Sequence, residues 1–161
     1  MNTRTKNLIF NIALPIGVGA LSGLLTMGGM KEFASMNQPP LSPPGWVFPV
    51  VWTILYALMG FATYLVWNSG HRMTESFMTR ESALQVYGAQ LVVNFFWSIF
   101  FFGFDLYLFS FFWLLLLWGL IIVNIIFYGK IRPLAGWLLV PYLLWVTFAG
   151  YLNFGVFLLN P

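Results

Sequence analysis

The sequence has no cysteine, a single histidine and very few charged residues. Its 161 residues include seven bases and four acids, so charged residues make up 7 % of the chain, against about a quarter in soluble domains. The absence of cysteine excludes disulfides, thiol nucleophiles and cysteine-ligated metals. With one histidine, we predict neither a metal site nor a bound cofactor. The net charge of +3 is modest and its bases flank apolar runs, which excludes nucleic acid as the expected partner and favours membrane lipid.

Long apolar runs take the place of the missing charge, because hydrophobic residues make up 60 % of the chain. Each run has about 20 residues or more, which at ~1.5 Å per residue crosses a hydrocarbon layer of ~30 Å. The runs are continuously apolar, which favours helices over the alternating strands of a barrel. We therefore predict an all-α integral membrane bundle, a single domain over residues 1–161. The predicted transmembrane helices cover residues 8–30, 47–67, 84–104, 106–128 and 134–159.

The first apolar run and the bases decide the predicted topology. A signal peptide is the alternative for the first run, but its apolar stretch exceeds the roughly 7 to 15 residues of a signal core. Five spans put six bases on one side and Lys31 alone on the other. By the positive-inside rule, the N-terminus is then cytoplasmic and the C-terminus external in a bacterial cell membrane. The six bases are Arg4, Lys6, Arg72, Arg80, Lys130 and Arg132.

The loop at residues 31–46 contains two proline pairs, at 39–40 and 43–44. Paired prolines cannot be helical and favour a stiff, extended path. Such a loop could cover a cavity between the helices, or it could be only a rigid connector.

Aromatic and amide side chains recur at helical spacing within three of the runs. Amides are costly in a hydrocarbon span unless they face the protein interior, so these stripes predict an amphipathic pocket for a flat apolar ligand. The alternative is that they only hold the helices together. A GxxxG pattern at Gly19 and Gly23 could likewise serve a homodimer or an intrachain contact. The stripes comprise Phe48, Trp52 and Tyr56 in the second run, Gln90, Asn94, Trp97 and Ser98 in the third, and Trp145, Ala149 and Asn153 in the fifth.

Three segments resemble the TspO/MBR family, which includes translocator proteins, tryptophan-rich sensory proteins and peripheral-type benzodiazepine receptors. They read PPGWVFPVVWTILY at residues 43–56, QLVVNFFWS at 90–98 and PYLLWVTFAGYLNF at 141–154. The resemblance implies a bacterial member with five helices, usually homodimeric, whose cavity opens toward the first loop and binds porphyrins, sterols and isoquinoline carboxamides. It also implies that Trp52, Asn94, Trp97, Ser98, Trp145 and Ala149 line the pocket, with Phe33 and Pro43 in the covering loop.

The chain departs from the family pattern at Gln38, where many members have lysine, and at Leu41, where many have tryptophan. No base follows Arg132, so the sterol motif of animal members is incomplete.

Three functions follow from the resemblance. The leading one is a membrane receptor or sensor for tetrapyrroles such as protoporphyrin IX. A passive porphyrin or sterol transporter is an alternative, since the runs lack the ionisable groups that ion coupling requires. A light-dependent porphyrin-degrading enzyme is another, in which the porphyrin is the substrate and Trp52 and Trp145 are the candidate catalytic residues. Ordinary acid–base catalysis has no candidate residues within the spans.

Overall fold

The computed structural model describes residues 2–69 and 79–160, and over these residues it contains helices and no strand. Five helical segments are long and apolar enough to cross a membrane, which confirms the predicted all-α bundle of five transmembrane helices. Arg72, one of the six bases counted above, lies outside the described residues. The helices are α1 (Thr3–Leu25), α2 (Met27–Phe33), α3 (Val47–Trp67), α4 (Arg80–Ser98), α5 (Tyr107–Ile131), α6 (Pro133–Leu138) and α7 (Val140–Leu159).

Two of the helices begin before the apolar runs that predicted them, because polar caps set their starts. The Asn2 side chain accepts a hydrogen bond from the backbone N–H of Arg4, so α1 begins at Thr3 rather than at residue 8. Thr79 accepts from the N–H of Ser82, and α4 begins at Arg80 rather than at residue 84. Caps of this kind satisfy N–H groups that have no partner within the helix.

Three predicted runs are interrupted near their ends. The first run breaks at Thr26, so the short helix α2 covers the end of that predicted helix and the first residues of the predicted loop. The third leaves α-helical geometry after Ser98 and makes a wider π-helical turn from Ile99 to Gly103, in which the N–H of Phe104 donates to the carbonyl of Ile99 at 3.1 Å. The last run divides into α6 and α7 at Leu139.

The five spans close a ring in the order first, second, fifth, fourth, third. Helix α1 packs on α3 and α4, α3 on α6, α6 and α7 on α5, and α5 on α4. Gly60 allows α3 to approach α1 closely, because a Cβ there would meet the backbone of Asn11 on α1. In the GxxxG pattern, a Cβ at Gly19 would overlap the ring of Tyr56, whereas one at Gly23 would meet nothing. Gly19 therefore serves an intrachain contact.

The segment after α2 is fastened to the end of α7. The backbone N–H of Asn37 donates to Oδ1 of Asn160 at 3.1 Å, and Nδ2 of Asn160 donates back to the Asn37 carbonyl at 2.9 Å. The Tyr151 hydroxyl donates to the Pro40 carbonyl at 2.8 Å. This polar contact joins the covering segment, residues 34–46, to the fifth span.

Candidate ligand-binding site

Four rings from three helices meet inside the bundle and form the aromatic cluster: Trp52 and Tyr56 of α3, Trp97 of α4 and Tyr142 of α7. The ring centroid of Trp52 lies 5.5 Å from that of Tyr56, 6.3 Å from Trp97 and 6.0 Å from Tyr142. The i, i+4 spacing of Trp52 and Tyr56 puts both on one face of α3. Tyr142, which the sequence stripe did not include, is 1 % exposed.

The amide of Asn94 joins two members of this cluster. Its Oδ1 accepts a hydrogen bond from the Tyr56 hydroxyl at 3.2 Å, and its Nδ2 donates to the Tyr142 hydroxyl at 2.6 Å. Asn94 is 1 % exposed, so both bonds lie in the interior. One side chain of α4 thereby links α3 to α7.

Asn153 also links helices through the hydrogen bonds of its amide. Its Oδ1 accepts from Nε1 of Trp97 at 3.2 Å and from the Ser110 hydroxyl at 3.1 Å, and its Nδ2 donates to the Tyr107 carbonyl at 2.7 Å. The bonds connect α7 to α4 and α5. Every polar atom of the Asn153 amide is therefore engaged by the protein itself.

Gln90 is buried one turn before Asn94, but its hydrogen bond goes to α5 and not to the aromatic cluster. Its Nε2 donates to Oδ1 of Asn124 on α5 at 3.2 Å, and Asn124 donates to the Ala83 carbonyl at 3.0 Å. The Gln90 Oε1 is buried without a partner. Asn124 is an amide within an apolar run, so the argument that singled out Gln90 would have found it too.

A cavity of about 210 Å³ opens beside the aromatic cluster. Five of the predicted site residues line it: Phe48, Trp52, Tyr56, Trp97 and Ser98. The rest of its wall comes largely from α1, which the aromatic stripes did not indicate because its contributions are small or aliphatic. The further lining residues are Ile16, Gly19, Ala20, Ser22, Gly23, Met30, Pro49, Thr53 and Phe102.

Phe33 packs beside the cavity, against two of the rings that line it, Phe48 and Phe102. It is 8 % exposed, and its ring makes edge contacts with Phe48 at 6.1 Å, Phe101 at 5.7 Å and Phe102 at 5.6 Å between centroids. The opening of the cavity toward the first loop therefore stays a prediction, and these four rings pack tightly against one another. A void of only about 10 Å³ remains among residues that include Phe33, Phe48, Trp97, Ala149 and Asn153.

Trp145 and Pro43 lie apart from this cavity. Trp145 contacts Phe48 at 5.9 Å and lines a separate groove of about 420 Å³ between α3 and α7. Its Nε1 is buried without a partner. Pro43 belongs to the covering segment and is half-buried. Trp145 thus reaches the cavity only through Phe48.

The chemistry of the cavity wall is stacking and hydrogen bonding. Tyr56 is its only titratable lining residue, and Ser22, Thr53 and Ser98 supply hydroxyls. Residues 2–69 and 79–160 contain no group of three or more His, Cys, Asp or Glu side chains that could hold a metal ion. Such a wall suits a flat, mainly apolar molecule.

Known proteins resemble the chain along almost its whole length. A profile of the TspO/MBR family matches residues 11–159. The tryptophan-rich protein TspO of Chlorobaculum tepidum is 35 % identical, with 100 % of both chains covered. Protein CrtK of Rhodobacter capsulatus is 34 % identical over 89 % of this chain and 86 % of its own. The human translocator protein is 33 % identical over 91 % of this chain and 85 % of its own.

Proposed function

The chain belongs to the TspO/MBR family, and on that premise we propose that it is a membrane receptor for tetrapyrroles and related flat apolar ligands, bound at the aromatic cluster. The supporting observation is the cavity wall, which presents Trp52, Tyr56 and Trp97 together without a charged side chain. Burying apolar ligand surface contributes about 25 cal/mol per Å². Burial of apolar surface has no preferred direction, and stacking on the indole rings would orient the ligand.

Binding of a tetrapyrrole would require the cavity to widen. Its volume of about 210 Å³ is below the roughly 300 to 1,000 Å³ of drug-sized pockets. The rings that would separate are Trp52 and Trp97, and then Phe33. Their mutual contacts are worth about 0.5–1.5 kcal/mol each, which the buried ligand surface readily exceeds. A ligand acceptor could also replace Tyr142 at Nδ2 of Asn94.

The test is a titration of protoporphyrin IX into detergent-purified protein in the dark, followed by quenching of tryptophan fluorescence. We expect saturable binding that Trp52→Phe and Asn94→Ala weaken. Trp137→Phe is the matched control, because Trp137 on α6 is 72 % exposed and belongs to neither the cluster nor the cavity. Trp145→Phe is expected to act more weakly than Trp52→Phe, since Trp145 reaches the cavity only through Phe48.

Two outcomes of this titration would contradict the proposal. Quenching that does not saturate would mean that the porphyrin partitions into the micelle rather than into a site. Saturable binding that responds equally to Trp52→Phe and Trp137→Phe would mean that the site lies away from the aromatic cluster. Either result would leave the cluster as helix packing alone.

Light-driven porphyrin breakdown is a second candidate, favoured by the 6.3 Å separation of the Trp52 and Trp97 rings at the cavity wall. The bound porphyrin would be both the chromophore and the molecule that is oxidised, dioxygen would be the oxidant that accepts its electrons, and an indole would relay an electron and be restored. Illumination of the saturated complex in air should then bleach the porphyrin absorbance. Trp52→Phe should slow the bleaching more than its effect on occupancy explains. Equal bleaching at equal occupancy would refute it.

Passive transport of the same ligands would use the same uncharged cavity. Because Tyr56 is the only titratable lining residue, such transport would follow the ligand gradient. Efflux of protoporphyrin IX from loaded proteoliposomes, measured at equal pH on both sides, should therefore run down the porphyrin gradient and stop when the two concentrations are equal. Efflux no faster than from protein-free liposomes would exclude it.

We also propose a homodimer in a bacterial cell membrane, with the N-terminus cytoplasmic and the C-terminus external. The chain has no cysteine, so single substitutions such as Thr3→Cys and Asn160→Cys report sidedness directly. An impermeant maleimide added to intact cells should label the second and not the first. The reverse labelling would invert the topology. The mass of the detergent-corrected particle tests the dimer.

A further inference from the structure

The cavity beside the aromatic cluster has a mouth on the side of the bundle. Its exposed lining residues are Ala20 on α1 and Pro49 and Thr53 on α3. The two helices are packed neighbours, and these residues stand on their facing sides. The mouth is therefore the gap between α1 and α3.

Two of the three rim residues lie well within apolar spans that are long enough to cross a membrane, whereas the third, Pro49, lies two residues after the start of α3. Ala20 lies five residues before the end of α1 and Thr53 six residues after the start of α3, or about 8–9 Å inward at 1.5 Å per residue. The Thr53 hydroxyl donates to the Pro49 carbonyl at 2.7 Å. Its hydrogen is thus already engaged, so the rim suits contact with hydrocarbon.

Two groups of contacts lie on the side of the cavity where the covering segment begins. Inside, the ring of Phe33 is packed among Phe48, Phe101 and Phe102. Outside, the covering segment is fastened to α7 through the paired bonds of Asn37 with Asn160. A ligand arriving from that side would have to displace these contacts, whereas the rim residues Ala20 and Thr53 between α1 and α3 are exposed.

We propose that flat apolar ligands enter this cavity sideways from the bilayer, through the gap between α1 and α3, and that Gly23 keeps the gap passable. This route rests on the proposed binding function and deepens it. Gly23 lines the cavity, and a Cβ there would meet nothing within 4 Å. Gly19 instead packs on the Tyr56 ring, so Gly23 is the glycine of the pair whose missing side chain leaves free space.

The first test compares Gly23→Phe with Gly17→Phe in lipid nanodiscs. A Cβ at Gly17 or at Gly23 would meet open space, so both variants should fold. Of these two glycines, only Gly23 lines the cavity. With protoporphyrin IX as the probe, we expect Gly23→Phe to slow association and dissociation together by about tenfold. An obstructed route changes both rates, whereas a lost contact changes mainly dissociation. Gly17→Phe should keep the rates of the unsubstituted chain.

The second test locks the covering segment to the end of α7. Because the chain has no cysteine, Asn37→Cys and Asn160→Cys can be bridged by oxidation or by a short bis-maleimide, with the unbridged form as the control. The lateral route predicts the same association rate in both forms. Association that stops when the bridge is closed, together with normal rates in Gly23→Phe, would overturn the route while leaving binding established. Absence of saturable binding in the unsubstituted chain would overturn the proposed function and the route with it.

Discussion

Replacing Asn94 by leucine separates helix packing from ligand recognition most sharply. Its amide accepts from Tyr56 at 3.2 Å and donates to Tyr142 at 2.6 Å. The matched control is Gln90→Met, which changes another buried amide one turn away. It removes a single hydrogen bond to Asn124, and it also removes the Oε1 atom that has no partner. Asn94 binds a residue that lines the cavity, whereas Gln90 does not.

The magnitudes follow from the number of bonds. A hydrogen bond between transmembrane helices contributes on average about 0.6 kcal/mol, and a buried hydroxyl left without its partner adds about 1 kcal/mol or more. Asn94→Leu removes two bonds and leaves two tyrosine hydroxyls without that partner, so we expect it to lower the free energy of unfolding by about 3 kcal/mol. Gln90→Met removes one bond and leaves the buried Oδ1 of Asn124 without that partner, but it also removes the unpartnered Oε1, so it should lower the free energy of unfolding by about 1 kcal/mol or less.

The assay is reversible unfolding in mixed micelles with increasing sodium dodecyl sulfate, alongside the porphyrin titration. Asn94→Leu should weaken binding because the ligand loses the amide that joins Tyr56 to Tyr142, while Gln90→Met should leave the dissociation constant unchanged. Equal losses of stability in the two variants would refute the bond count. Weaker binding in Gln90→Met would show that the site extends deeper than the cavity.

Three further predictions use the same unfolding assay. Gly60→Val should destabilise the protein by about 3 kcal/mol, because a Cβ at Gly60 meets the α1 backbone, whereas Gly119→Val on α5 faces open space and should change little. Leu41→Gly should stabilise it by about 1 kcal/mol, since Leu41 is 83 % exposed and its φ is 68°; no gain would contradict this strain. Trp97→Phe should destabilise more than Trp145→Phe, because only the first loses a hydrogen bond of its indole N–H; the reverse order would refute that assignment.

The spans were predictable from the sequence because hydrophobic length directly reflects bilayer thickness. The inward burial of Gln90, Asn94 and Asn153 followed from the cost of an amide in hydrocarbon. Helix ends did not follow, because a cap such as Asn2 or Thr79 lies outside the apolar run and starts the helix early. Hydropathy also carries no signal for the π-helical turn.

The site was only partly predictable, for two physical reasons. Helical spacing identifies a face but not the neighbour it meets, so Trp145 shared a stripe with Asn153 and yet lines an outer groove. The glycines of α1 that line the cavity have no side chain, so their role depends on which residues pack against them. Ring positions such as Trp52 and Trp97 were predictable because bulky aromatics within a polar stripe face the interior.

The side chains that hold the bundle together are also those that a ligand would engage, and this links binding to helix packing. Asn94 bonds Tyr56 and Tyr142 across three helices, and Trp52 lies between them. A ligand that stacks on Trp52 must compete with the contacts that hold α3 against α7. It can shift the bundle only by the difference in its affinity for the closed and widened forms. With about 210 Å³ available in the closed form, that difference is large for a tetrapyrrole, so occupancy itself would change the packing of the bundle.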